Sequence, residues 1–220
     1  MPDIAKDELV YQLSSALAPV ALLKGYREVR DATKDLDVAT FFGHLLHGEV
    51  LPGFSDYHDE DLQDDLLNYA DQVTENYTDP SNDRLLGAPS LFDWGRFNLP
   101  VVLDAWQRGE AAPASVFALA ALGVFISQAG YDKDAVPRAF GPNDYRELLE
   151  KVRAAFPGAE ATESQLVTWY RALIEASDYF ANETPEKREE LTERLAVEAA
   201  GYAQIILSEG VKTALKATFQ

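Results

Sequence analysis

The chain contains three histidines, and the spacing of two of them is compatible with metal binding. His44 and His47 lie three residues apart with Glu49 close by, and His58 follows a short way on. Side chains at positions i and i+3 share one face of a helix, so two such histidines can bind a metal ion if a third ligand is supplied. The Glu-x-x-His and His-Glu-x-x-His patterns of helical metal centres are absent, which favours solvated histidines at a helix end and no metal site.

A second chemically capable group combines aromatic rings with a guanidinium. Trp94, Arg96 and Phe97 stand almost side by side, and Arg84 precedes them by ten residues. Such a group can hold the face of a sugar and pair with a carboxylate, or it can simply pin a loop to the core. Arg84 has the same two interpretations, an anion contact or an exposed surface arginine. We predict Arg84, Trp94 and Arg96 as substrate-binding residues.

The acidic run from Asp56 to Asp65 has the oxygen ligands that calcium prefers, but it lacks the glycine turn and the terminal glutamate of an EF-hand loop. Carboxylates near a helix N-terminus are stabilised by the helix dipole. The run therefore indicates a solvated helix start.

The composition disfavours several classes of function. Asp and Glu outnumber Lys and Arg by 37 to 19, which gives a formal net charge of −18, and the 220 residues include no cysteine. Nucleic acids and anionic membrane surfaces are bound by basic side chains, so neither is an expected partner. Without thiols there are no disulfides, thiolate zinc sites or cysteine nucleophiles. No Gly-x-Gly-x-x-Gly or Walker sequence is present, so a nucleotide site of the usual kind is not expected.

The apolar content and its distribution predict one soluble domain over residues 1–220. Hydrophobic residues make up 47% of the chain, enough to bury a sizeable core. The first eight residues are acidic and polar, unlike an export signal, and the apolar stretch 112–127 is shorter than the roughly 20 residues of a membrane span. We expect a cytoplasmic protein.

Apolar residues recur at helical spacing along nearly the whole chain, and strand-like alternation does not, so the sequence predicts an all-α fold. Residues 113–128 are apolar on all sides and should form a buried central helix. Pro19 should kink or break the first helix. Residues 77–89 are predicted as a loop, with Leu85 and Leu86 directed to the core. The predicted helices span residues 7–24, 37–49, 59–76, 100–108, 113–128, 142–156, 162–180 and 184–217.

Capping residues mark two of the helix starts. Thr162 opens a partial capping box with Gln165, and Thr184 precedes Pro185 at the first helical position. Gly201 and Gly210 are candidates for bending or dividing the last helix.

Six short segments follow one another in a recognisable order: Leu17-Ala-Pro-Val-Ala-Leu-Leu-Lys-Gly-Tyr26, Phe41-Phe42, Gly48-Glu-Val-Leu-Pro52, Asn76-Tyr-Thr-Asp-Pro80, Leu99-Pro-Val-Val-Leu103 and Phe117-Ala-Leu-Ala-Ala-Leu122. In this order they resemble the C-terminal helical domain of the long-chain polyol and hexuronate dehydrogenases, the mannitol dehydrogenase and tagaturonate reductase group. The likeness covers about the first 130 residues. At the fourth segment, the family typically has Arg-Phe-x-Asn-Pro.

The resemblance implies positions for the catalytic residues. In that family a lysine, an asparagine five residues later and a histidine three beyond it polarise the carbonyl and move the proton. The corresponding positions here are Lys6, Tyr11 and Ser14, so the lysine is kept while the asparagine and the histidine are replaced. Of the lysines that contact substrate later in the family, the nearest positions hold Asp93 and Gly95.

We therefore expect a relative of the substrate-side domain that has no catalysis of its own and binds no cofactor by itself, NAD being bound only through a separate domain. In the family a nucleotide-binding half precedes these segments, and we expect it to be missing here. Its expected partners are a sugar-acid ligand and a protein partner or a second copy of the chain.

Two alternatives stay open at this stage. In the first, the chain is the C-terminal half of a split sugar-acid reductase, with Lys6 near the junction to a nucleotide-binding subunit. In the second, it is a helical protein-interaction domain with only a chance likeness to the family, whose apolar grooves accept a partner helix.

Overall fold

In the computed structural model, residues 3–54, 60–87, 89–128 and 146–220 are described, and in these ranges the chain is helical. The only extended pairing in the described ranges is an isolated bridge between Glu28 and Leu85. The all-α prediction is confirmed. The helices are α1 Asp3–Leu23, α2 Val29–Lys34, α3 Leu36–Gly43, a π-helix His44–Val50, α4 Leu51–Gly53, α5 Glu60–Thr78, α6 Leu91–Phe97, α7 Leu99–Gln107, α8 Pro113–Ser127, α9 Arg146–Ala154, α10 Glu163–Ala176, α11 Pro185–Glu209 and α12 Val211–Phe219.

Helix α8 forms the centre of the fold, as its uniformly apolar sequence predicts. Every residue from Ala114 to Val124 is buried, and both α1 and α11 pack against it. A helix that is apolar all round can satisfy its whole surface only by being enclosed. The other helices therefore take their positions around α8.

The sequence predicts a kink or a break at Pro19, and helix α1 continues through this residue, so the alternative of a break between two short helices is wrong. Proline removes one backbone hydrogen bond, but Leu13, Leu17 and Val20 on either side of it are fully buried. The burial of this face against the core outweighs the lost hydrogen bond and keeps the two halves of the helix together.

The segment between α5 and α7 differs from the sequence prediction in two ways. Leu85 is 67% exposed rather than directed to the core, and only Leu86 is partly buried. Residues 91–97 form helix α6, which starts at Ser90, whose hydroxyl accepts a hydrogen bond from the Asp93 backbone N–H at 3.2 Å. Only Leu91 and Trp94 are buried in this seven-residue helix, which gives too little periodicity for the helix to be recognised in the sequence.

The capping predictions for the C-terminal part are confirmed. The capping box of Thr162 and Gln165 is complete, and Thr184 caps α11 through the backbone N–H of Lys187. Gly210, with φ +84°, separates α11 from α12, whereas Gly201 lies inside α11. None of the described helices is long and apolar enough to cross a lipid bilayer.

Candidate functional site

A cleft of about 200 Å³ lies between α1, the end of α5, α6 and the loop that joins α5 to α6. Its walls are mainly apolar, and polar side chains project from several of these elements: Ser14 from α1, Tyr77 from α5, Arg84 from the loop and Asp93 from α6. A concave, largely apolar pocket with a few convergent polar groups is the usual form of a small-molecule site.

Ser14 and Tyr77 are in direct contact inside this cleft. The two hydroxyl oxygens are 2.5 Å apart, and either one can be the donor. Burial raises the pKa of Tyr77 above its usual value, and the hydrogen bond to Ser14 and the charge of Arg84 offset only part of this effect. Tyr77 is therefore a neutral phenol at physiological pH.

Arg84 and Asp93 bring opposite charges to the cleft. The backbone of Arg84 is held at both ends, because its N–H donates to Asn82 Oδ1 at 3.0 Å and its carbonyl accepts from the Val29 N–H at 2.9 Å. Its side chain is exposed and lines the cleft, where it can contact a ligand. Burial raises the pKa of Asp93, while hydrogen bonding to Ser90 and the charge of Arg96 act in the opposite direction.

Tyr11 and Phe97 form an aromatic wall at the edge of the cleft. Their rings stack with centroids 4.9 Å apart and an interplanar angle of 14°. Tyr11 is 53% exposed. Two of the three positions that the family resemblance marks as catalytic, 11 and 14, thus line the same cleft.

Lys6 occupies the remaining position of the three, and it is not among the described residues that line the cleft. Its ammonium lies 5.4 Å from the centroid of the Tyr69 ring. Lys6 precedes the cleft residues of α1, Tyr11 to Ala18, by five to twelve residues. The ammonium is therefore held on the α5 side of the helix, against an aromatic face.

The three residues predicted to bind substrate have different positions. Arg84 lines the cleft. Trp94 is completely buried, and its indole N–H donates to the carbonyl of Ser115 at 3.0 Å, so it anchors α6 to the core and presents no surface to a ligand. Arg96 is exposed, with its guanidinium 5.1 Å from the centre of the Phe97 ring, and it does not line the cleft.

The histidines do not converge in the described residues. The His44 ring nitrogen Nε2 lies 3.2 Å from the carbonyl oxygen of Phe219, and the buried carboxylate of Glu49 bonds to the N-terminus of α8. No group of three or more possible metal ligands occurs in the described ranges. His58 lies outside the described residues, as do positions 56–59 of the acidic run.

Sequence reasoning missed Tyr77 as a cleft residue. It stands 63 residues from Ser14, so no local pattern connects the two. The one available signal is its place in the Asn76–Pro80 segment, where the resemblance implies phenylalanine and this chain has a tyrosine hydroxyl. The resemblance draws attention to Asp93 only as the replacement of a lysine.

No family model matches the chain. An altronate oxidoreductase of Bacillus subtilis (strain 168) is 32% identical over 115 residues, which are 50% of this chain and 22% of that protein. An altronate oxidoreductase of Yersinia pestis is 25% identical over 211 residues, 92% of this chain and 40% of the relative. The matched region thus spans well under half the length of these relatives.

A solved structure has the same fold. It is Pseudomonas fluorescens mannitol 2-dehydrogenase in a ternary complex with NAD and D-mannitol, and its TM-score is 0.66 at 16% sequence identity. The similarity covers 97% of this chain and 40% of that one. At this level of identity the comparison establishes the fold.

Proposed function

Since the chain is a relative of the altronate oxidoreductases, within the mannitol dehydrogenase and tagaturonate reductase group, we propose that it binds a sugar-derived acid in the cleft between α1, α5 and α6. We further propose that these residues alone do not carry out the redox reaction. The observation that carries the proposal is that Tyr11 and Ser14 line one cleft together with Arg84. The resemblance relates Tyr11 and Ser14 to the family's asparagine and histidine positions.

The cleft has suitable chemistry for such a ligand. A guanidinium binds carboxylates through parallel N–H···O bonds, and the exposed side chain of Arg84 is the cation at the cleft. The hydroxyls of Ser14 and Tyr77 can bond to hydroxyls of a sugar chain. The stacked rings of Tyr11 and Phe97 offer a flat apolar wall for its C–H groups.

The proposed lack of independent catalysis is supported by three positions. Proton transfer requires an acid or base within hydrogen-bond reach of the reacting group. At the family's asparagine and histidine positions the chain has Tyr11 and Ser14, neither of which supplies an imidazole or a carboxamide. Lys6, which is kept, has its ammonium beside Tyr69 rather than in the cleft.

The described residues do not fit a nicotinamide cofactor. Dinucleotides are bound where a strand passes through a glycine-rich turn into a helix. The described ranges contain helices and one isolated bridge, and the sequence has no Gly-x-Gly-x-x-Gly. We therefore assign NAD to a separate domain or subunit, and we derive no step through it.

Ligand binding is tested by calorimetry and thermal denaturation with altronate, tagaturonate, mannitol and NADH. We expect the sugar acids to bind and to raise the melting temperature, as any ligand selective for the native state must. Arg84→Met should weaken sugar-acid binding at least about tenfold, the effect of losing one charge-assisted contact. Arg27→Met removes another exposed arginine that does not line the cleft, and it should bind like the wild type.

Two other results would change the proposal. Turnover of tagaturonate by the purified chain with NADH would overturn the lack of independent catalysis. No response to any sugar acid, together with a stable dimer in sedimentation experiments, would favour the helical interaction domain instead.

A further inference from the structure

We propose that Ser14 and Tyr77 form a single hydrogen-bonding unit that recognises an alcohol of the ligand, so that the cleft binds a hydroxy acid more tightly than the corresponding keto acid. The inference rests on the proposed function, because it requires a sugar-derived acid in the same cleft. It goes beyond the proposed function by specifying the oxidation state of the preferred ligand, an alcohol and not a ketone.

The hydroxyls of Ser14 and Tyr77 are in direct contact with each other. Their oxygens are 2.5 Å apart at the wall of the cleft, and they are supplied by different helices, α1 and α5. A hydrogen bond between them consumes one of the two protons. The pair therefore has one O–H left to donate and lone pairs left to accept.

Tyr77 is held in place by its neighbours, so its hydroxyl has a fixed position before a ligand binds. Its ring stacks on Phe42 with centroids 5.2 Å apart, and its backbone carbonyl accepts a hydrogen bond from Thr33 Oγ1 at 2.8 Å. The residue is only 4% exposed. A hydroxyl in a fixed position requires little ordering when the ligand binds.

An alcohol matches the hydrogen-bonding capacity of the Ser14–Tyr77 pair better than a ketone does. An alcohol both donates and accepts, so it can use the free O–H and a lone pair of the unit at the same time. A ketone only accepts, so it can use the free O–H alone. The alcohol gains about one additional hydrogen bond between neutral groups, which corresponds to a preference of about fivefold to tenfold.

The experiment measures the ratio of the affinities for altronate and tagaturonate, which differ by an alcohol and a ketone at one carbon. The wild type should prefer altronate about fivefold to tenfold. Ser14→Ala and Tyr77→Phe should each bring the ratio close to one, and the double variant should go no further. A ratio is insensitive to a general loss of folded protein, which would weaken the binding of both acids equally.

Ser15→Ala is the matched control. Ser15 lines the same cleft, but its hydroxyl already donates to the Tyr11 carbonyl at 2.7 Å and accepts from Asn98 Nδ2 at 2.6 Å. Its removal should leave the ratio within about twofold of the wild type, since its donor proton is already used.

The outcomes separate the two proposals. If both acids bind in an Arg84-dependent manner but with equal affinity, or if the preference survives in Ser14→Ala and Tyr77→Phe, the hydroxyl unit is refuted and the proposed function stands. If neither acid binds the wild type, both proposals fail together.

Discussion

Glu49 caps the central helix through Ser115: its Oε2 accepts a hydrogen bond from the Ser115 backbone N–H at 2.8 Å, while Oε1 accepts from the N–H of Ala114. The residue at the N-cap position of α8, Ala112, has no side chain that could do this. Free N–H groups at a buried helix start are costly, so the carboxylate supplied by the π-helix replaces a local cap. Burial nevertheless raises the pKa of Glu49 to about 7, against the hydrogen bonds that lower it.

The first prediction concerns the effect of pH on stability. The folded-state pKa of Glu49 lies above its ordinary value, so its proton stabilises the fold at low pH, and this contribution is lost as the pH rises through about 7. Between pH 5 and 8, the wild type should lose up to about 3 kcal/mol of unfolding free energy relative to Glu49→Gln. The measurement is urea denaturation of both proteins at several pH values.

A control must remove a negative charge without this burial. Glu160→Gln changes the charge equally at an exposed side chain, and its stability should follow the wild-type pH profile. If the unfolding free energies of Glu49→Gln and the wild type also change in parallel with pH, the prediction is wrong. Glu49 would then keep the same protonation state across the range.

The second prediction concerns Gly123 in α8. A Cβ atom built there would lie 2.5 Å from the Tyr170 hydroxyl oxygen and 2.7 Å from its ring. Tyr170 cannot move aside easily, since it is fully buried and its hydroxyl donates to the Ala120 carbonyl at 2.7 Å. Gly123→Ala should therefore destabilise the protein by about 1–3 kcal/mol, the usual effect of overpacking, as measured by chemical denaturation.

Gly201 provides the comparison, because a Cβ atom there would meet nothing within 4 Å and the residue lies inside α11. Gly201→Ala should stabilise the protein by about 0.5–1 kcal/mol through helix propensity. Equal effects of the two substitutions would show that contact with Tyr170 is not what keeps Gly123 small.

The parts of the fold that the sequence predicts correctly depend on local information. The uniform apolarity of residues 113–128 requires a buried helix, and the threonine caps at 162 and 184 define helix starts by their own hydrogen bonds. Pro19 shows the limit of this reasoning. Its local cost is real, but burial of Leu17 and Val20 against distant helices outweighs it, and no local pattern contains that contribution.

The cleft could be predicted only in part for the same reason. The family resemblance indicated positions 11 and 14, and both line the cleft. Tyr77, whose hydroxyl meets that of Ser14, belongs to another helix and is brought there by tertiary packing. The burial of Trp94 likewise depends on α8, whose Ser115 carbonyl accepts its N–H, so a ring that could have bound a sugar forms part of the core instead.

The third prediction concerns an ion-pair cluster outside the cleft. The ammonium of Lys24 lies 2.6 Å from Asp35 Oδ1 and 2.9 Å from Asp37 Oδ2, and the side chains of Lys24 and Asp37 are less than 10% exposed. Removing the Lys24 ammonium leaves the neighbouring carboxylates of Asp35 and Asp37 without their positively charged partner in a largely buried environment. Lys24→Met should therefore lower the unfolding free energy by about 3 kcal/mol at pH 7, measured by urea denaturation.

Lys34→Met is the matched control, since Lys34 is mostly exposed and lies 3.7 Å from Asp31; its effect should stay below about 1 kcal/mol.

Burial acts to raise the pKa of Asp35, but hydrogen bonds from Lys24 and Tyr26 hold it at about 2. The wild type should thus keep the contribution of Asp35 above pH 4 and lose it as the pH falls toward 2. In Lys24→Met the carboxylates are protonated more readily, so the gap between the two proteins should narrow in acid. A gap that stays constant from pH 7 to pH 3 would mean that the charge of Lys24 contributes little and that its aliphatic packing accounts for the loss.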